Sequence, residues 1–181
     1  VAEIPAGAAD LMFVCTPASA NLQLLEDAAQ RGVKAAFLTS AGYGEAGEEG
    51  RMAEAELVAT ADRLGMLLAG PNGQGVVSTP ASLCAQIVAP YPPTGGIGVA
   101  SQSGNFVSSF LNLSRSTGVG VSRAVSAGNA AAVSVADYLD FYSRDDRTAV
   151  SLAYIEGITD GRGLMERLAG AARHKPLVVL K

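Results

Sequence analysis

The chain has 181 residues, of which 49% are hydrophobic and 17% are charged, and its formal net charge at pH 7 is −4. This apolar content is enough for a packed core and argues against disorder, and the length suits one or two small α/β domains. The acidic balance and the lack of any long lysine and arginine run argue against a nucleic-acid-binding face. The apolar runs are too short to cross a bilayer, so we expect a cytoplasmic protein without membrane contact.

The first half of the chain alternates apolar strands with amphipathic helices. A continuous apolar run at 11–15 predicts a strand that is buried on both faces, as in parallel sheets. Further strands are predicted at 33–38 and 66–69. Helices are predicted at 21–31 and 45–65, each with a glycine at its C-terminal end.

The second half of the chain also alternates strands with helices. The predicted strands are 97–100, 119–125, 149–155 and 177–180, and the predicted helices are 104–117, 134–142 and 163–173. The stretch 76–91 is irregular, with one short strand predicted near 86–88. The segment 90–96 is rich in proline and glycine, and we interpret it as a linker.

Strands and helices that alternate at these lengths predict right-handed βαβ units and a parallel sheet in each half. The predicted fold class is therefore α/β, with two consecutive parallel-sheet segments. We place the domain boundary at the linker, with one domain over residues 1–94 and the other over residues 95–181.

Ligands of such sheets bind at the carboxyl ends of the strands, and several loops there have unusual sequences. The loop after strand 97–100 carries Ser101, Ser103, Gly104 and Asn105 in front of a helix. Small residues, free N–H groups and the partial positive charge at a helix N-terminus are suited to a phosphate group. The alternative is an ordinary serine N-cap, which is a common feature.

Three further loops could contact a ligand. The loop 39–45 holds small hydroxyl residues that suit a thioester, a pantetheine arm or an anion, although a capped helix start also explains them. The turn 70–75 offers several exposed N–H groups, with a plain turn as the alternative. Asn129, in the loop after strand 119–125, is a weaker candidate for substrate contact.

Glu156 directly follows the predicted strand 149–155. We expect a carboxylate at this position to point into the crevice at the sheet edge rather than into open solvent. It could then orient an imidazole by accepting its N–H. The alternative is a partly buried glutamate whose hydrogen bonds are purely structural.

Residue counts exclude several chemistries. The one histidine, His174, lies at a helix end before a strand, on the opposite edge of the sheet, and is expected to be a surface residue. Cys15 and Cys84 lie in apolar sequence without CxxC spacing, so we expect buried free thiols. Neither a metal site nor a Ser–His–Asp triad is predicted. No Walker-type phosphate loop occurs, so the chain should not bind ATP by itself.

Six motifs follow one another along the chain. They are SAGYGE (40–45), GPNGQG (70–75), GIGVASQSGN (96–105), SAGNAA (126–131), YIEGITDGR (154–162) and KPLVVLK (175–181). In this order they resemble the NDP-forming acyl-CoA synthetase family, which includes the α-subunit of succinyl-CoA synthetase and the ADP-forming acetyl-CoA synthetases. The resemblance runs from about residue 5 to the end. One such motif would be weak evidence for the family, whereas six in series are strong evidence.

This resemblance implies an incomplete Rossmann-like CoA-binding domain followed by a flavodoxin-like CoA-ligase domain. Enzymes of this family form ADP or GDP and join a carboxylic acid to CoA through an acyl phosphate and a phosphohistidine. By resemblance, Ser101, Ser103, Gly104 and Asn105 bind the phosphoryl group, and Glu156 orients the catalytic histidine.

The resemblance also implies contacts with CoA or the acid substrate. The residues concerned are Thr39, Ser40, Ala41, Pro71, Asn72, Gly73 and Asn129. Gly73 departs from the family pattern, which usually has cysteine there, and this leaves the substrate preference open. The sequence SQSG in place of SRSG is more similar to the fused acetyl- and aryl-type enzymes and to related protein lysine acetyltransferases.

The family's architecture puts a glycine-rich CoA loop before Val1 and the catalytic histidine after Lys181. We therefore expect an internal fragment that lacks ligase activity of its own. The expected partners are CoA, a small carboxylic acid and an ATP-grasp domain or subunit that holds ATP and Mg²⁺, in an oligomeric parent enzyme. Two alternatives are a non-catalytic acyl-CoA-sensing module of a protein lysine acetyltransferase and a free-standing CoA- or anion-binding protein.

Overall fold

The structure of the protein is a computed structural model that describes residues 1–87, 89–158 and 160–181. Within these ranges, no helix has the length and apolar character that a membrane span requires. The chain folds into two compact units, each with its own sheet. The first unit comprises Val1–Gly73 with Gly128–Val133, and the second comprises Gln74–Ala127 with Ser134–Lys181.

The first unit has a parallel three-stranded sheet with two helices. Its elements are β1 (Leu11–Val14), α1 (Asn21–Gln30), β2 (Ala35–Leu38), α2 (Glu48–Arg63) and β3 (Leu67–Ala69). The strands lie in the order β1-β2-β3. Leu25 of α1, Leu38 of β2 and Leu57 of α2 are fully buried in one core, because each element turns its apolar side chains towards the others.

The second unit has a mixed six-stranded sheet and three helices. Its strands are β4 (Gly75–Ser78), β5 (Leu83–Gln86), β6 (Thr94–Ser101), β7 (Val121–Ser126), β8 (Val150–Tyr154) and β9 (Leu177–Leu180). Its helices are α3 (Gly104–Thr117), α4 (Val135–Arg144) and α5 (Gly161–Ala172). The strand order is β5-β4-β7-β6-β8-β9, and only β4 runs antiparallel to both of its neighbours. Val99, Leu111 and Val121 form the centre of its core.

The predicted α/β class with two sheet segments is confirmed, and the predicted alternation of strands and helices is present in both units. Helix α3 has the predicted bounds, because Ser103 caps its first turn and Gly118 ends it with a positive φ of 77°. Ser134, the first residue of the predicted helix 134–142, is the N-cap of α4 and forms a reciprocal capping box with Asp137.

The segment before β6 differs from the prediction. Strands β4 and β5 form a hairpin in the stretch that was expected to be irregular. The antiparallel pairing of β4 with β7 joins this hairpin to the parallel strands and makes the sheet mixed. Each of these strands has only four residues, which is too short for a clear hydrophobic period. The strand predicted near 86–88 extends to Val88, which lies outside the described residues.

The predicted linker 90–96 also overlaps β6, which begins at Thr94. A Cβ atom on Gly95 would lie 2.4 Å from the Cα of Gly120, so glycine is needed here for close strand packing. The predicted domain boundary within this segment stays a prediction, while the compact units divide after Gly73.

The expectation of two buried thiols is wrong, because Cys15 and Cys84 are both exposed. Cys15 lies beyond Val14, the last residue of β1, and Cys84 lies on β5 at the edge of its sheet. Apolar neighbours in the sequence therefore do not imply burial at strand ends and sheet edges.

Glycine in β6 makes room for a buried tyrosine, and this can be tested. A Cβ atom on Gly98 would lie 2.8 Å from Thr148 Cγ2 and 2.9 Å from Tyr142 Cδ2. Tyr142 is only 2% exposed, and its hydroxyl donates to the Val99 carbonyl at 3.1 Å. We expect Gly98→Ala to lower the free energy of unfolding by about 1–3 kcal/mol through overpacking, measured by chemical denaturation.

Gly170 is the matched control, because it lies in α5 and a Cβ atom there would meet nothing within 4 Å. Gly170→Ala should stabilise the protein by up to about 1 kcal/mol through helix propensity. Equal denaturation midpoints for Gly98→Ala and the wild type would contradict the packing described for β6.

Candidate functional site

Three parallel strands of the second unit end side by side at their carboxyl edge. Strand β6 lies between β7 and β8, and Ser101 is in register with Ser126 of β7 and Tyr154 of β8. The loops that follow β6 and β8 therefore leave the sheet next to each other. This arrangement brings the predicted phosphate loop close to the loop of Glu156.

The predicted phosphate loop forms a capped helix start. Ser103 is the N-cap of α3, and its Oγ accepts from the Phe106 N–H at 3.3 Å. The Oγ of buried Ser101 accepts from the Ser103 N–H at 3.0 Å and donates to the Ser103 carbonyl at 2.9 Å. The serine hydroxyls therefore shape the loop. The N–H groups of Gly104 and Asn105 occupy the first two helical positions, where α3 offers no acceptor.

Gln74 packs against the start of α3, and the sequence analysis did not single it out. A Cβ atom on Gly104 would lie 2.3 Å from Gln74 Cδ, so the glycine accommodates this side chain. The backbone N–H of Gln74 donates to Ser126 Oγ at 3.0 Å, and its Oε1 accepts from Ser108 Oγ at 2.7 Å. The only sequence signal was its place inside the motif GPNGQG.

Gln102 is a second residue that the sequence analysis missed. Its Oε1 accepts from the backbone N–H of Glu156 at 2.6 Å and of Gly157 at 2.9 Å, and its Nε2 donates to the Gly157 carbonyl at 3.4 Å. The expectation that Glu156 points away from solvent is wrong, because this residue is exposed. The reason is that the sheet's last buried position here is Ile155, and the chain then leaves the sheet.

In the first unit, the hydroxyls of the loop after β2 bond to the protein itself. Thr39 Oγ1 donates to a carbonyl of β1 at 3.0 Å. Ser40 is buried, and its Oγ donates to the Thr16 carbonyl at 2.6 Å and accepts from Asn21 Nδ2 at 3.1 Å. Ala41 is exposed. The hydroxyl groups of Thr39 and Ser40 are therefore engaged in hydrogen bonds within the protein.

Residues 71–73 of the predicted turn 70–75 lie in the first unit, beside the loop that follows β7. The backbone N–H of Asn129 donates to the Pro71 carbonyl at 2.9 Å. Asn72 is exposed and has a positive φ of 60°, a conformation that asparagine tolerates better than most residues. Gly73 is buried. The structure thus brings Asn129 together with the turn, as a shared candidate site would require.

The Asn129 side chain joins three other polar side chains. Its Nδ2 donates to Glu45 Oε2 at 2.5 Å and to Glu54 Oε2 at 2.7 Å, and its Oδ1 accepts from Asn72 Nδ2 at 3.2 Å. Sequence reasoning missed both glutamates, although Glu45 belongs to the motif SAGYGE. Asn129 is therefore a link between loops, and Asn72 and Glu45 are the members of the group that are exposed.

Electrostatics in this group lower the pKa of Glu45. Partial burial alone would raise it, but hydrogen bonds from Asn129 and from the backbone N–H groups of Gly42 and Tyr43 outweigh burial. The Oε1 atom of Glu45 accepts those two backbone bonds at 2.5 Å and 3.2 Å. The nearby phenol of Tyr43 has a raised pKa, first because it is buried and further because Glu45 and Glu54 carry negative charge.

A pocket of about 410 Å³ lies elsewhere in the second unit, at α4 and α5. Its lining consists of Asp137, Asp140, Phe141, Arg144, Asp145 and Arg167. Arg167 already forms ion pairs with Asp137 and Asp140, and none of the predicted site residues lines the pocket. In the described part of the chain, no group of three or more His, Cys, Asp or Glu side chains is arranged to hold a metal ion.

The Asn129 link can be tested through the titration of Glu45. Asn129→Ala removes the amide donor and leaves two carboxylates facing each other, so we expect the Glu45 pKa to rise. A lowered pKa stabilises the fold above the unfolded-state value, and this contribution is lost as the pH falls through the folded-state value. The difference in unfolding free energy between wild type and variant should therefore shrink at acid pH.

The pKa is measured by NMR titration of the side-chain carboxyl. Asn112→Ala is the control, because Asn112 lies on the exposed surface of α3 and donates only to its own helix at 2.9 Å. An unchanged Glu45 pKa in Asn129→Ala would contradict the hydrogen-bond pattern described above.

Comparison with known proteins identifies the second half of the chain. Residues 94–181 match the family model described as succinyl-CoA ligase like flavodoxin domain. Over 172 residues the chain is 40% identical to an ADP-forming acetate–CoA ligase I of Archaeoglobus fulgidus, a match that covers 95% of this chain and 25% of that protein. It is 39% identical to the α-subunit of an ADP-forming acetate–CoA ligase I of Pyrococcus furiosus, covering 100% of this chain and 39% of the subunit.

A solved structure agrees with these matches. It is a dinucleotide-forming acetyl-coenzyme A synthetase 1 from Ca. Korarchaeum cryptofilum in complex with phosphate and ADP, with a TM-score of 0.91 and 32% identity. The match covers 100% of this chain and 39% of that chain, so the present chain spans well under half of the length of these relatives. The chain belongs to the NDP-forming acyl-CoA synthetase family, within which residues 94–181 are the succinyl-CoA ligase-like flavodoxin domain.

Proposed function

We propose that this chain is part of an ADP-forming acyl-CoA synthetase that joins a carboxylic acid to CoA through an acyl phosphate and a phosphohistidine. The observation that carries this proposal is a helix start, with the N–H groups of Gly104 and Asn105 in its first turn, beside an exposed glutamate at one sheet edge. Both belong to the unit that contains the flavodoxin domain of the family. The relatives' names support the reaction type.

The start of α3 is the proposed phosphoryl-binding group. The N–H groups of Gly104 and Asn105 and the helix dipole stabilise a dianion without a permanent salt bridge. Ser101 and Ser103 hold the loop in this shape through their hydrogen bonds. The relative from Ca. Korarchaeum cryptofilum was solved with phosphate and ADP, which supports phosphate as a ligand of this family.

Glu156 is proposed to orient the histidine that carries the phosphoryl group. An exposed carboxylate can accept the N–H of an imidazole and so fix which ring nitrogen reacts. His174, the one histidine of the chain, follows α5 and precedes β9, so it lies at the opposite edge of the sheet. The phosphohistidine therefore has to come from another segment or subunit, and we propose that this chain alone has no ligase activity.

The first unit is proposed to contact CoA or the acid. Its candidates are Thr39, Ser40, Ala41, Pro71, Asn72, Gly73 and Asn129. The exposed Ala41 and Asn72 are the members best placed to touch a ligand, whereas Ser40 and Asn129 support them through protein hydrogen bonds. Gly73, where the family usually has cysteine, is buried and offers no side chain to a ligand. An incomplete Rossmann-like CoA-binding domain over 1–94 remains part of this proposal.

The nucleotide, Mg²⁺ and further partners belong to the larger enzyme. We propose that an ATP-grasp domain or subunit binds ATP and Mg²⁺, that the parent enzyme is oligomeric and that it is cytoplasmic. A sensing module of a protein lysine acetyltransferase is not favoured, because the curated relatives described above are acyl-CoA ligases. The acid substrate stays open.

The test uses the protein that contains this chain. Incubation with ATP, CoA and acetate or an aryl acid should form ADP and the acyl-CoA. Glu156→Gln should lower kcat on the order of 10- to 100-fold, as loss of a group that orients a reacting imidazole does. Glu166→Gln is the control, because Glu166 is exposed on α5, and it should leave kcat unchanged.

Full activity of Glu156→Gln would contradict the role of this carboxylate. Absence of ADP formation with every acid tried, in a protein that is folded and binds CoA, would contradict the reaction class.

A further inference from the structure

The backbone of Glu156 is held by two side chains from other parts of the second unit. Gln102 Oε1 accepts from the Glu156 N–H at 2.6 Å, and Lys181 Nζ donates to the Glu156 carbonyl at 2.9 Å. Gln102 lies in the loop after β6, and Lys181 follows β9. Both polar groups of this backbone position are therefore fixed, although the residue itself is exposed.

The side chain at position 102 has to provide a hydrogen-bond acceptor. Backbone N–H groups can only donate, and two of them, from Glu156 and Gly157, converge on the same side-chain oxygen at 2.6 Å and 2.9 Å. An amide oxygen has two lone pairs and can accept both bonds, whereas lysine and arginine side chains offer donors only. The orientation of the Gln102 amide is therefore determined by its partners.

Little else restrains this part of the loop. A Cβ atom on Gly157 would meet nothing within 4 Å, and Glu156, Gly157 and Ile158 are all exposed. Packing therefore contributes little to the position of the Glu156 backbone, and hydrogen bonds have to supply it. Strand β8 ends at Tyr154, and the Ile155 N–H that follows it donates to the Leu180 carbonyl at 3.0 Å.

Gln102 also belongs to the proposed phosphoryl loop. It lies between Ser101 and Ser103, whose hydrogen bonds shape the start of α3. Its own backbone N–H donates to the Tyr154 carbonyl at 3.1 Å, which extends the pairing of β6 with β8. One residue thus joins the anion-accepting helix start to the loop that carries Glu156.

We propose that Gln102 is a positioning residue that fixes Glu156 relative to the phosphoryl-binding start of α3. This inference rests on the proposed function of Glu156. The side chain of Gln102 does not take part in the chemistry. It sets the distance between the bound phosphoryl group and the carboxylate that orients the phosphorylated imidazole.

Hydrogen exchange of the chain tests the structural part of the proposal. Gln102→Met keeps the length of the side chain and removes the acceptor, so the Glu156 and Gly157 amides should exchange roughly five- to tenfold faster. Gln102→Glu keeps the acceptor oxygens and should preserve this protection. Gln30→Met, at the exposed end of α1, is the matched control and should leave both amides unchanged. Unchanged exchange of the two amides in Gln102→Met overturns the proposal.

Kinetics of the protein that contains this chain test the functional part. Gln102→Met should lower kcat on the order of tenfold without a change in the KM for CoA, since positioning affects the chemical step. The double variant with Glu156→Gln should lose no more than Glu156→Gln alone, because Gln102 acts through Glu156. Fully additive losses overturn the positioning role.

The two proposals can fail separately. If Glu156→Gln alone leaves the activity intact, the role of Glu156 in the proposed function is wrong, and the positioning role of Gln102 falls with it. If Glu156→Gln is impaired but Gln102→Met has full kcat despite faster amide exchange, only the inference about Gln102 is overturned.

Discussion

The pairing of three parallel strands is the constraint on which the second unit depends. Because β7, β6 and β8 run in one direction and in register, Ser101 stands beside both Ser126 and Tyr154. The chain therefore has to leave the sheet at one edge after β6 and again after β8. The helix that follows β6 brings its unpaired N–H groups to that edge, and the strand β8 brings Glu156.

Protein hydrogen bonds use many of the polar groups that looked suited to ligands. The hydroxyls of Thr39, Ser40 and Ser101 bond to nearby carbonyl groups, and Asn129 bonds to two carboxylates. Among the described residues, no buried side-chain nitrogen or oxygen lacks a partner. An unpaired buried polar group would cost free energy, so these hydrogen bonds favour one conformation of each loop. A ligand would then meet preorganised backbone groups and a few exposed side chains.

The amide side chains of glutamine and asparagine connect loops in both units. Gln102 connects the loops after β6 and β8, and Asn129 connects the turn at Asn72 to Glu45 and Glu54. An amide is suited to this role because it offers donors and an acceptor together without a net charge. Within the second unit, the neutral Gln102 link adds no charge beside the start of α3, which matters if the ligand is an anion.

Local sequence patterns predicted much of the fold. The bounds of α3 and β9 agree with the prediction, since a serine cap, a glycine stop and a continuous apolar run are local signals. Strands β4 and β5 were not predicted, because four-residue strands carry almost no period and β4 finds its partner β7 far along the chain.

The candidate site was only partly predictable for the same reason. Its backbone loops follow from strand ends and glycines, so Ser103, Gly104 and Glu156 could be singled out from the sequence. Gln102 could not, because its partners are 54 and 55 positions away and a single glutamine in a loop has no pattern. The exposure of Glu156 likewise depends on where β8 ends, and a shift of this end by one residue would change it.

The most direct measurement is a crystal structure of the chain grown with inorganic phosphate. We expect a phosphate group at the start of α3, with its oxygens about 3 Å from the backbone nitrogens of Gly104 and Asn105. Phosphate bound only elsewhere, or a helix start that stays free of anion at saturating phosphate, would contradict the central claim.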